Sequence, residues 1–482
     1  MRRFTVYDSL SRATRGFAPI TPPAVRMYVC GLTPYADAHV GHGRFAVVFD
    51  IVARALRHWG YRVFYVQNVT NLDDKLIARA AETDDDPLAL ADRQAAAWFE
   101  LMDRLGVRSV NYHPFATDFV PEILAQCAAL IAKEFAYVAS DGSVYFRVSR
   151  FPHYGRLSGQ RVEALRPGAR LEVDPRKEAA EDFVIWKSAT PGEPEWESPW
   201  GPGRPGWHIE DTAMTLRLFG PRYDLHGGGL DLIFPHHEAE IALAESTTGE
   251  APLVNYWMHN GLLTRNGEKM AKSVGNVHGL AEVVDRFGPM VVRFYYANAH
   301  YRSPLEFDPA TSLAEAREAY ATLSQPADRL ARALLDGGAT RDGADLPEPL
   351  AAEAEQWVER LDEALAQDFN TREAIALLFG WGKRLSAELP RLGDYSAAAL
   401  ELLYGPYRWG EEVLGLFARS RDVRPHGLAT VVPVAVAART RARARGDFAE
   451  ADRIRAELKA AGVELEDDAG GTRWEYVDPG TE

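Results

Sequence analysis

The sequence contains little cysteine, little lysine and no long apolar run. Only Cys30 and Cys127 occur in 482 residues, which is too few for a disulfide framework and compatible with a reducing compartment. No stretch reaches the roughly 18 uninterrupted apolar residues of a membrane span, and the start, MRRFTVYDSLSR, lacks the apolar segment of a signal peptide. These absences predict a cytoplasmic protein without a disulfide scaffold.

An overall basic charge is also absent, because the formal net charge is -15 at pH 7. Affinity for phosphates needs local Lys and Arg, so this balance argues against indiscriminate nucleic-acid binding but leaves a local basic strip open. Hydrophobic residues make up 46% and charged residues 26% of the chain, which is ordinary for globular proteins. A length of 482 residues, at about 150 residues per domain, predicts a multidomain enzyme.

The N-terminal part alternates between strand-like and helix-like patterns. Starting at Val25, a short apolar run is followed by a Gly/Pro turn, an amphipathic stretch and a second apolar run, ending in RVFYVQNVTN. This order indicates strand, loop, helix and strand. It predicts an α/β fold with a doubly wound parallel sheet.

Changes in pattern divide the chain into five predicted segments. The first half of the parallel-sheet domain covers 1–111, a turn-rich and charged insertion covers 112–198, and the second half of the sheet covers 199–311. Helical periodicity predicts a helical bundle over 312–424, and a small final unit covers 425–482.

His39-Val40-Gly41-His42 (HVGH) lies where the first predicted strand gives way to a helix. A helix N-terminus offers free N–H groups and a positive dipole end, which suit a polyphosphate. Two imidazoles three residues apart share a helical face and can both donate to phosphate oxygens, while Gly41 allows an adenine ring to approach the backbone. Taken alone, the motif fits a pair of ordinary core or surface histidines equally well.

A second motif, Lys269-Met270-Ala271-Lys272-Ser273 (KMAKS), follows the apolar strand in HNGLLTRNGEKM. Two ammonium groups on a Gly-flanked loop can close over a triphosphate and stabilise the departing pyrophosphate. A solvated surface loop is the alternative for this motif alone. The two motifs in this order, each after a strand of the predicted sheet, together indicate ATP-dependent chemistry.

HVGH and KMAKS resemble the HIGH and KMSKS signatures of class I aminoacyl-tRNA synthetases. Within that class, the segments MYVCGLTPY, NVTNLDDK, DFVIWK, RPGWHIE, DLHGGGLDLIFPHHEAEIA and YWMHNG resemble the cysteinyl-tRNA synthetases. The similarity extends from about Phe4 to the terminal GTRW. It implies a Rossmann-like catalytic domain with an insertion, followed by a helical bundle and a small C-terminal anticodon-binding unit.

The resemblance implies a ligase that activates L-cysteine with Mg-ATP and transfers it to the 3' end of tRNA(Cys), releasing AMP and pyrophosphate. No obligatory protein partner is evident. The implied catalytic residues are His39, His42, Lys269 and Lys272. The implied ATP-binding residues are His39, Gly41, His42, Gly229, Asp231, Lys269, Lys272 and Ser273.

The resemblance further implies one zinc ion per chain, held by Cys30, Asp211, His236 and Glu240. His236 and Glu240 are four residues apart, so a helix would place both on one face. Asp211 departs from the family, which commonly has WHIEC where this chain has WHIED. Zinc accepts a carboxylate oxygen, but a single thiolate makes the site less soft.

Three states of this site stay open: zinc retained with Asp211 as a ligand or a supporting neighbour, a weakly metallated site, and a metal-free site. His237 and Glu238 are close enough in sequence to replace a neighbouring ligand. The resemblance also implies a cysteine-binding pocket whose residues are Gly31, Thr70, Trp207 and His226.

The C-terminal segment PVAVAARTRARARGDFAEADRIRAELKAAG carries more basic than acidic residues from Arg439 to Lys459. Such a strip can follow RNA phosphates, although a solvated helix with internal ion pairs has the same composition. The resemblance implies that Arg443, Asp452 and Asp467 read anticodon bases. Phe448 stands where the family often has Trp.

Two other functions compete with this interpretation. One is a cysteine ligase of the mycothiol-synthesis type, which shares the fold and both signatures but lacks the long C-terminal unit. The other is a catalytically silent paralogue that binds tRNA. The tail DFAEADRIRAELKAAGVELED and the two intact signatures favour the cysteinyl-tRNA synthetase over both.

Overall fold

The computed structural model describes residues 1–160, 174–265, 267–270, 278–335 and 343–417. Near the C-terminus it describes 432, 435–436, 439–440, 442–443, 446–460, 463–468 and 471–476. The chain divides into two compact units, Met1–Phe417 and Ala418–Glu482. No helix in these described ranges is both long enough and apolar enough to cross a membrane.

The described strands and helices are numbered here in chain order. The strands are β1 (Thr5–Asp8), β2 (Ala13–Gly16), β3 (Ala24–Leu32), β4 (Arg62–Val69), β5 (Ala136–Val138), β6 (Val144–Phe146), β7 (Phe183–Ser188), β8 (Gly203–Pro205), β9 (Tyr223–Gly229), β10 (Val254–Asn260), β11 (Leu263–Arg265), β12 (Glu268–Lys269), β13 (Leu305–Glu306), β14 (Val463–Asp468) and β15 (Gly471–Tyr476). The helices are α1 (Val40–His58), α2 (Asp74–Thr83), α3 (Pro87–Arg104), α4 (Val120–Ala132), α5 (Trp207–Phe219), α6 (Glu238–Thr248), α7 (Leu280–Phe287), α8 (Pro289–Ala297), α9 (Ser312–Leu335), α10 (Glu348–Leu365), α11 (Thr371–Arg384), α12 (Ala397–Trp409) and α13 (Phe448–Ala460).

A four-stranded parallel sheet organises the first unit. Its strands lie in the order β4, β3, β9, β10, and each neighbouring pair is parallel. Helix α1 connects β3 to β4, and α6 connects β9 to β10. The direction of winding therefore reverses between β3 and β9, and the crevice at the carboxyl ends of those strands is where open α/β sheets bind ligands. The predicted doubly wound parallel fold is confirmed.

Helix α1 is the central crossover of this sheet. Its interior carries an almost continuous apolar run, FAVVF, and Phe45 through Ala53 are all buried. A helix buried on all sides needs such a run, because every face contacts protein. The helix ends at His58 and is capped by Trp59, and Gly60 then adopts a φ of +88°, a conformation that favours glycine.

An antiparallel sheet lies between the two halves of the parallel sheet in sequence, with strand order β5, β6, β7, β8. Helices α9 to α12 follow the second half, and their apolar faces pack with the parallel-sheet domain into one continuous core. In the second unit, α13 precedes the antiparallel hairpin of β14 and β15. The segment boundaries expected from the sequence stay predictions.

Candidate active site

A cavity of about 690 Å³ opens at the carboxyl ends of β3 and β9. Its walls include His39 and His42, which begin the α1 crossover, and Cys30 and Asp211, which lie deeper in the fold. The volume is in the range of small-molecule and cofactor pockets. HVGH and part of the predicted metal site therefore share one cavity.

The two histidines of HVGH cap α1 reciprocally. The Gly41 N–H donates to His39 Nδ1 at 3.1 Å, and the His39 N–H donates to His42 Nδ1 at 3.2 Å. The two rings stack with centroids 3.7 Å apart. Because each Nδ1 accepts a hydrogen bond, the proton of each neutral ring is on Nε2, which makes that nitrogen a donor.

Two glycines are required by close contacts at this edge of the sheet. A Cβ on Gly31 would lie 1.8 Å from the Asn68 carbonyl oxygen, and a Cβ on Gly41 would lie 2.9 Å from His39 Cε1. Gly31 also donates its N–H to Asn68 Oδ1 at 2.7 Å, at the point where the register between β3 and β4 shifts. The absence of a Cβ at Gly41 leaves room for the His39 ring, a reason for glycine that differs from the predicted approach of adenine.

Metal-ligating atoms converge on the thiol of Cys30. Cys30 Sγ lies 3.2 Å from His237 Nε2, 3.4 Å from His226 Nε2, and 3.7 Å from both Asp211 Oδ2 and Glu240 Oε1. All five residues are buried. Buried charges need a partner or a metal ion, so this concentration of donors fits a metal centre.

The donors form two overlapping sets of four, and Cys30 and Glu240 belong to both. Asp211 and His236 complete the set that we call the front set, and His226 and His237 complete the back set. Asp211 and His236 line the cavity together with Cys30, whereas the two histidines of the back set are not part of its lining. Only the front set is therefore open to a ligand that enters the cavity.

Within the front set, His236 Nε2 lies 2.6 Å from Asp211 Oδ2 and 3.4 Å from Glu240 Oε1. Glu240 Oε2 is buried and has no hydrogen-bond partner among the described residues. His236 occupies an irregular turn, Ile233–His237, with non-helical backbone at Phe234, and α6 begins after it. The non-helical backbone lies before the PHHEAE segment, in which His236 and Glu240, four residues apart, face one another.

Burial controls the protonation of this cluster. Desolvation, reinforced by the neighbouring Glu240 and Asp211, raises the pKa of Cys30 well above its usual value. Desolvation likewise lowers the pKa of His226 and His237 well below the usual histidine value. The two histidines are therefore neutral at pH 7, the form in which imidazole binds metals.

Residues that the sequence-based interpretation did not single out support the donors from behind. Tyr28 OH donates to Asp211 Oδ1, and Tyr223 OH lies 2.6 Å from His226 Nδ1. His237 Nδ1 lies 2.8 Å from His259 Nε2. The sequence contains one indication of this role for Tyr28. Tyr28 precedes Cys30 by two residues on one strand, so both side chains point to the same face of the sheet.

The four residues expected in the cysteine pocket lie in different places. Trp207 is 41% exposed, lines the cavity and stacks on His236 with ring centroids 4.4 Å apart. Gly31 and Thr70 also line the cavity, and Asn68 donates its side-chain N–H to Thr70 Oγ1 at 3.3 Å. His226 lies behind Cys30, fully buried and stacked on Trp257.

Of the other predicted ATP-binding residues, two lie in the described part of the chain and three lie wholly or partly outside it. Gly229 and Asp231 line the cavity. Lys269 belongs to β12, but its side chain, like all of Lys272 and Ser273, lies outside the described residues.

The C-terminal candidates belong to the second compact unit. Arg443 is exposed, Asp452 is exposed on α13, and Asp467 belongs to β14 with its side chain outside the described residues. Arg439 is only 4% exposed and contacts Thr472 Oγ1, so it is part of the core of this unit. Arg453 on α13 pairs with Glu450 and Glu457 at 2.8 and 2.6 Å, as in an ordinary solvated helix.

Comparisons with known proteins agree with one another. A family model described as the catalytic domain of class I (C) tRNA synthetases matches residues 16–318. The chain is 46% identical to a cysteine–tRNA ligase of Methylococcus capsulatus over 477 residues, which is 97% of this chain and 99% of that protein. It is also 46% identical to a cysteine–tRNA ligase of Methylobacillus flagellatus over 476 residues, with coverage of 97% and 99%.

Solved structures of lower sequence identity share the fold. A Mycobacterium tuberculosis methionyl-tRNA synthetase in complex with methionyl-adenylate is similar with a TM-score of 0.60. The comparison covers 86% of this chain and 94% of that chain at 18% identity. At this identity the similarity supports the architecture alone.

Proposed function

Because the chain belongs to the cysteinyl-tRNA synthetase family of class I, we propose that it activates L-cysteine with ATP and transfers the cysteinyl group to the 3' end of tRNA(Cys). The main support is the shared cavity, whose walls contain the HVGH histidines and three of the four front-set donors, Cys30, Asp211 and His236. One end suits a triphosphate and the other suits a small thiol. A site for ATP activation of cysteine requires both.

In the first step the cysteine carboxylate attacks the α-phosphate of Mg-ATP, and pyrophosphate leaves. His39 and His42 donate through Nε2 to phosphate oxygens, since both Nδ1 atoms accept backbone N–H groups. The N-terminus of α1 adds its dipole. Lys269 and Lys272 are proposed to stabilise the departing pyrophosphate, and Gly41, Gly229, Asp231 and Ser273 are proposed to bind ATP.

In the second step a terminal ribose hydroxyl of the tRNA attacks the adenylate and AMP leaves. Both steps proceed without a covalent enzyme intermediate, so the protein contributes positioning and electrostatic stabilisation. Gly31, Thr70 and Trp207 are proposed to hold the cysteine, with His226 supporting the site from behind Cys30. Arg443, Asp452 and Asp467 are proposed to read the anticodon.

The front set of Cys30, Asp211, His236 and Glu240 is proposed to hold one zinc ion. Its donor types match zinc chemistry, its four ligating atoms lie within 4.8 Å of one another, and Glu240 retains a buried oxygen without a hydrogen-bond partner. When bound, zinc would take the substrate thiolate as a ligand, an interaction that a serine hydroxyl does not match. Openness to the cavity favours the front set over the back set.

The proposal is tested by measuring bound zinc together with cysteine- and serine-dependent ATP/pyrophosphate exchange, in the wild type and in Asp211→Cys. We expect stoichiometric zinc, exchange with cysteine and rejection of serine, with tighter zinc binding in Asp211→Cys because a second thiolate makes the site softer. Absence of cysteine-dependent exchange would instead support a silent tRNA-binding paralogue. A metal-free preparation that rejects serine as well as a zinc-loaded one would refute the role of zinc.

A further inference from the structure

Asp211 is a carboxylate at the position where the family commonly has a cysteine, and its chemistry as a ligand differs from that of a thiolate. A cysteine at this position would offer one donor atom, whereas a carboxylate offers two oxygens and turns readily about its terminal bond. Asp211 is 1% exposed, so water does not fix its orientation. Some other group has to decide which oxygen faces the metal site.

The two oxygens of Asp211 have different partners. Oδ2 faces the donors of the front set, 2.6 Å from His236 Nε2 and 3.7 Å from Cys30 Sγ. Oδ1 accepts the hydrogen bond of Tyr28 OH. The Tyr28 side chain is fully buried, and its other polar contact is a weak one, 3.8 Å from Met214 Sδ.

Strand β3 explains why the phenol is in this position. Tyr28 and Cys30 are two residues apart on β3, so both side chains point to the same face of the sheet. Asp211 approaches that face from α5. A single strand thus supplies one metal donor and the hydrogen bond that orients another.

We propose that Tyr28 is a positioning residue for the metal centre: it engages Asp211 Oδ1 and so presents Oδ2 as the single ligand oxygen. This inference rests on the zinc site of the proposed function. Hydrogen bonds from a neighbouring residue to a metal ligand typically contribute about 10- to 100-fold to metal affinity. The phenol thereby makes a carboxylate act as a one-atom ligand, as a cysteine sulfur would.

Tyr223 offers a matched control. It is also fully buried, and its hydroxyl lies 2.6 Å from His226 Nδ1. His226 belongs to the back set, whereas Asp211 belongs to the front set. Replacing either tyrosine by phenylalanine removes one buried hydroxyl and leaves the ring, so the two variants differ in which donor set they disturb.

The test measures zinc affinity by competition with a chromophoric chelator, using the full chain and its Tyr28→Phe and Tyr223→Phe variants. We expect Tyr28→Phe to weaken zinc binding by about 10- to 100-fold and Tyr223→Phe to change it within about twofold. The visible spectrum of the Co²⁺-loaded protein should change in Tyr28→Phe and not in Tyr223→Phe. Far-UV circular dichroism of each variant checks that the fold is kept.

A double-mutant cycle separates orientation from general packing. In an Asp211→Cys background, Tyr28→Phe should no longer weaken zinc binding, because a sulfur ligand has no second atom to orient. An equal loss in both backgrounds, or equal losses in Tyr28→Phe and Tyr223→Phe, would overturn the inference. A wild-type chain without zinc would refute the zinc site itself, whereas zinc binding that Tyr28→Phe leaves unchanged would refute only the role of Tyr28.

Discussion

His39 has two separable tasks, and a pair of substitutions can divide them. Its Nδ1 accepts the Gly41 N–H and caps α1, while its Nε2 is the proposed phosphate donor. His39→Ala removes both functions. His39→Ser removes the donor but keeps a cap, because a serine hydroxyl accepts from the first turn of a helix and is too short to replace the imidazole.

The expected magnitudes follow from these contacts. Loss of an N-cap acceptor costs about 1 kcal/mol of stability, so His39→Ala should unfold at lower urea concentration than His39→Ser. Loss of a preorganised donor to transition-state charge costs about 2.7–4 kcal/mol, or about 100- to 1,000-fold in rate. Both variants should therefore lose a similar factor in exchange, although they differ in stability.

The assays are cysteine-dependent ATP/pyrophosphate exchange for the rate and urea unfolding for the stability. Both variants lose the stacking on His42, whose ring centroid lies 3.7 Å away, so their comparison isolates the cap. Exchange in His39→Ser within a few-fold of the wild type would show that the imidazole donates nothing to the transition state. Equal stability of the two variants would contradict the expectation that a side-chain cap at position 39 stabilises α1.

The remaining predictions concern the KMAKS motif and the buried ion pair between α1 and α8. Lys272→Ala should lower the exchange rate far more than it weakens cysteine binding, measured by calorimetry, and an unchanged rate would contradict its assigned role. Asp50 is fully buried and accepts a hydrogen bond from Arg293 at 2.5 Å, so Asp50→Asn should lower the free energy of unfolding in urea by about 3–5 kcal/mol. Glu82→Gln, in the exposed pair of Arg79 and Glu82, should lower it by under about 1 kcal/mol. Burial alone would raise the pKa of Asp50, but Arg293 and Arg54 outweigh burial and hold the pKa below its usual value. The ionised Asp50 therefore contributes its full stabilisation above about pH 3.9, the usual unfolded pKa, and loses it as the pH falls through the lower folded pKa. A stability difference between wild type and Asp50→Asn that grows on acidification would contradict this sign.

The fold was predictable where local pattern and topology agree. β3 and β4 are short apolar runs joined by a helix, and this order has few solutions other than a parallel crossover. The position of HVGH at the start of α1 followed from the same reasoning. The pairing of Cys30 with Asp211, 181 residues apart, did not follow from spacing, and only the family resemblance brought them together.

Other features depend on contacts that no local pattern encodes. The irregular turn before α6 moves His236 out of the regular helix, yet tertiary packing still brings its ring to Asp211. Tyr28 and Tyr223 are ordinary apolar-strand residues by composition, and their hydroxyls gain importance only from the partners that the sheet brings to them. His226 was expected in the substrate pocket because of the family resemblance, and its full burial behind Cys30 was not predictable from the sequence.

The topology explains why the residues proposed for phosphate chemistry and a residue proposed for the choice of amino acid lie in one short segment of the chain. The chain leaves β3 at the end that carries Cys30, and His39 begins α1 only a few residues later. In the proposed function the HVGH histidines act on phosphates, which do not depend on the amino acid to be activated. Cys30 and Asp211 line the same cavity and are proposed to face the amino-acid side chain, so we expect changes there to alter the choice of amino acid and to leave the phosphate chemistry in place. The fold is shared with a methionyl-tRNA synthetase at 18% identity, so the fold alone does not identify the amino acid, and its choice has to be argued from the residues at the end of β3 and on α5.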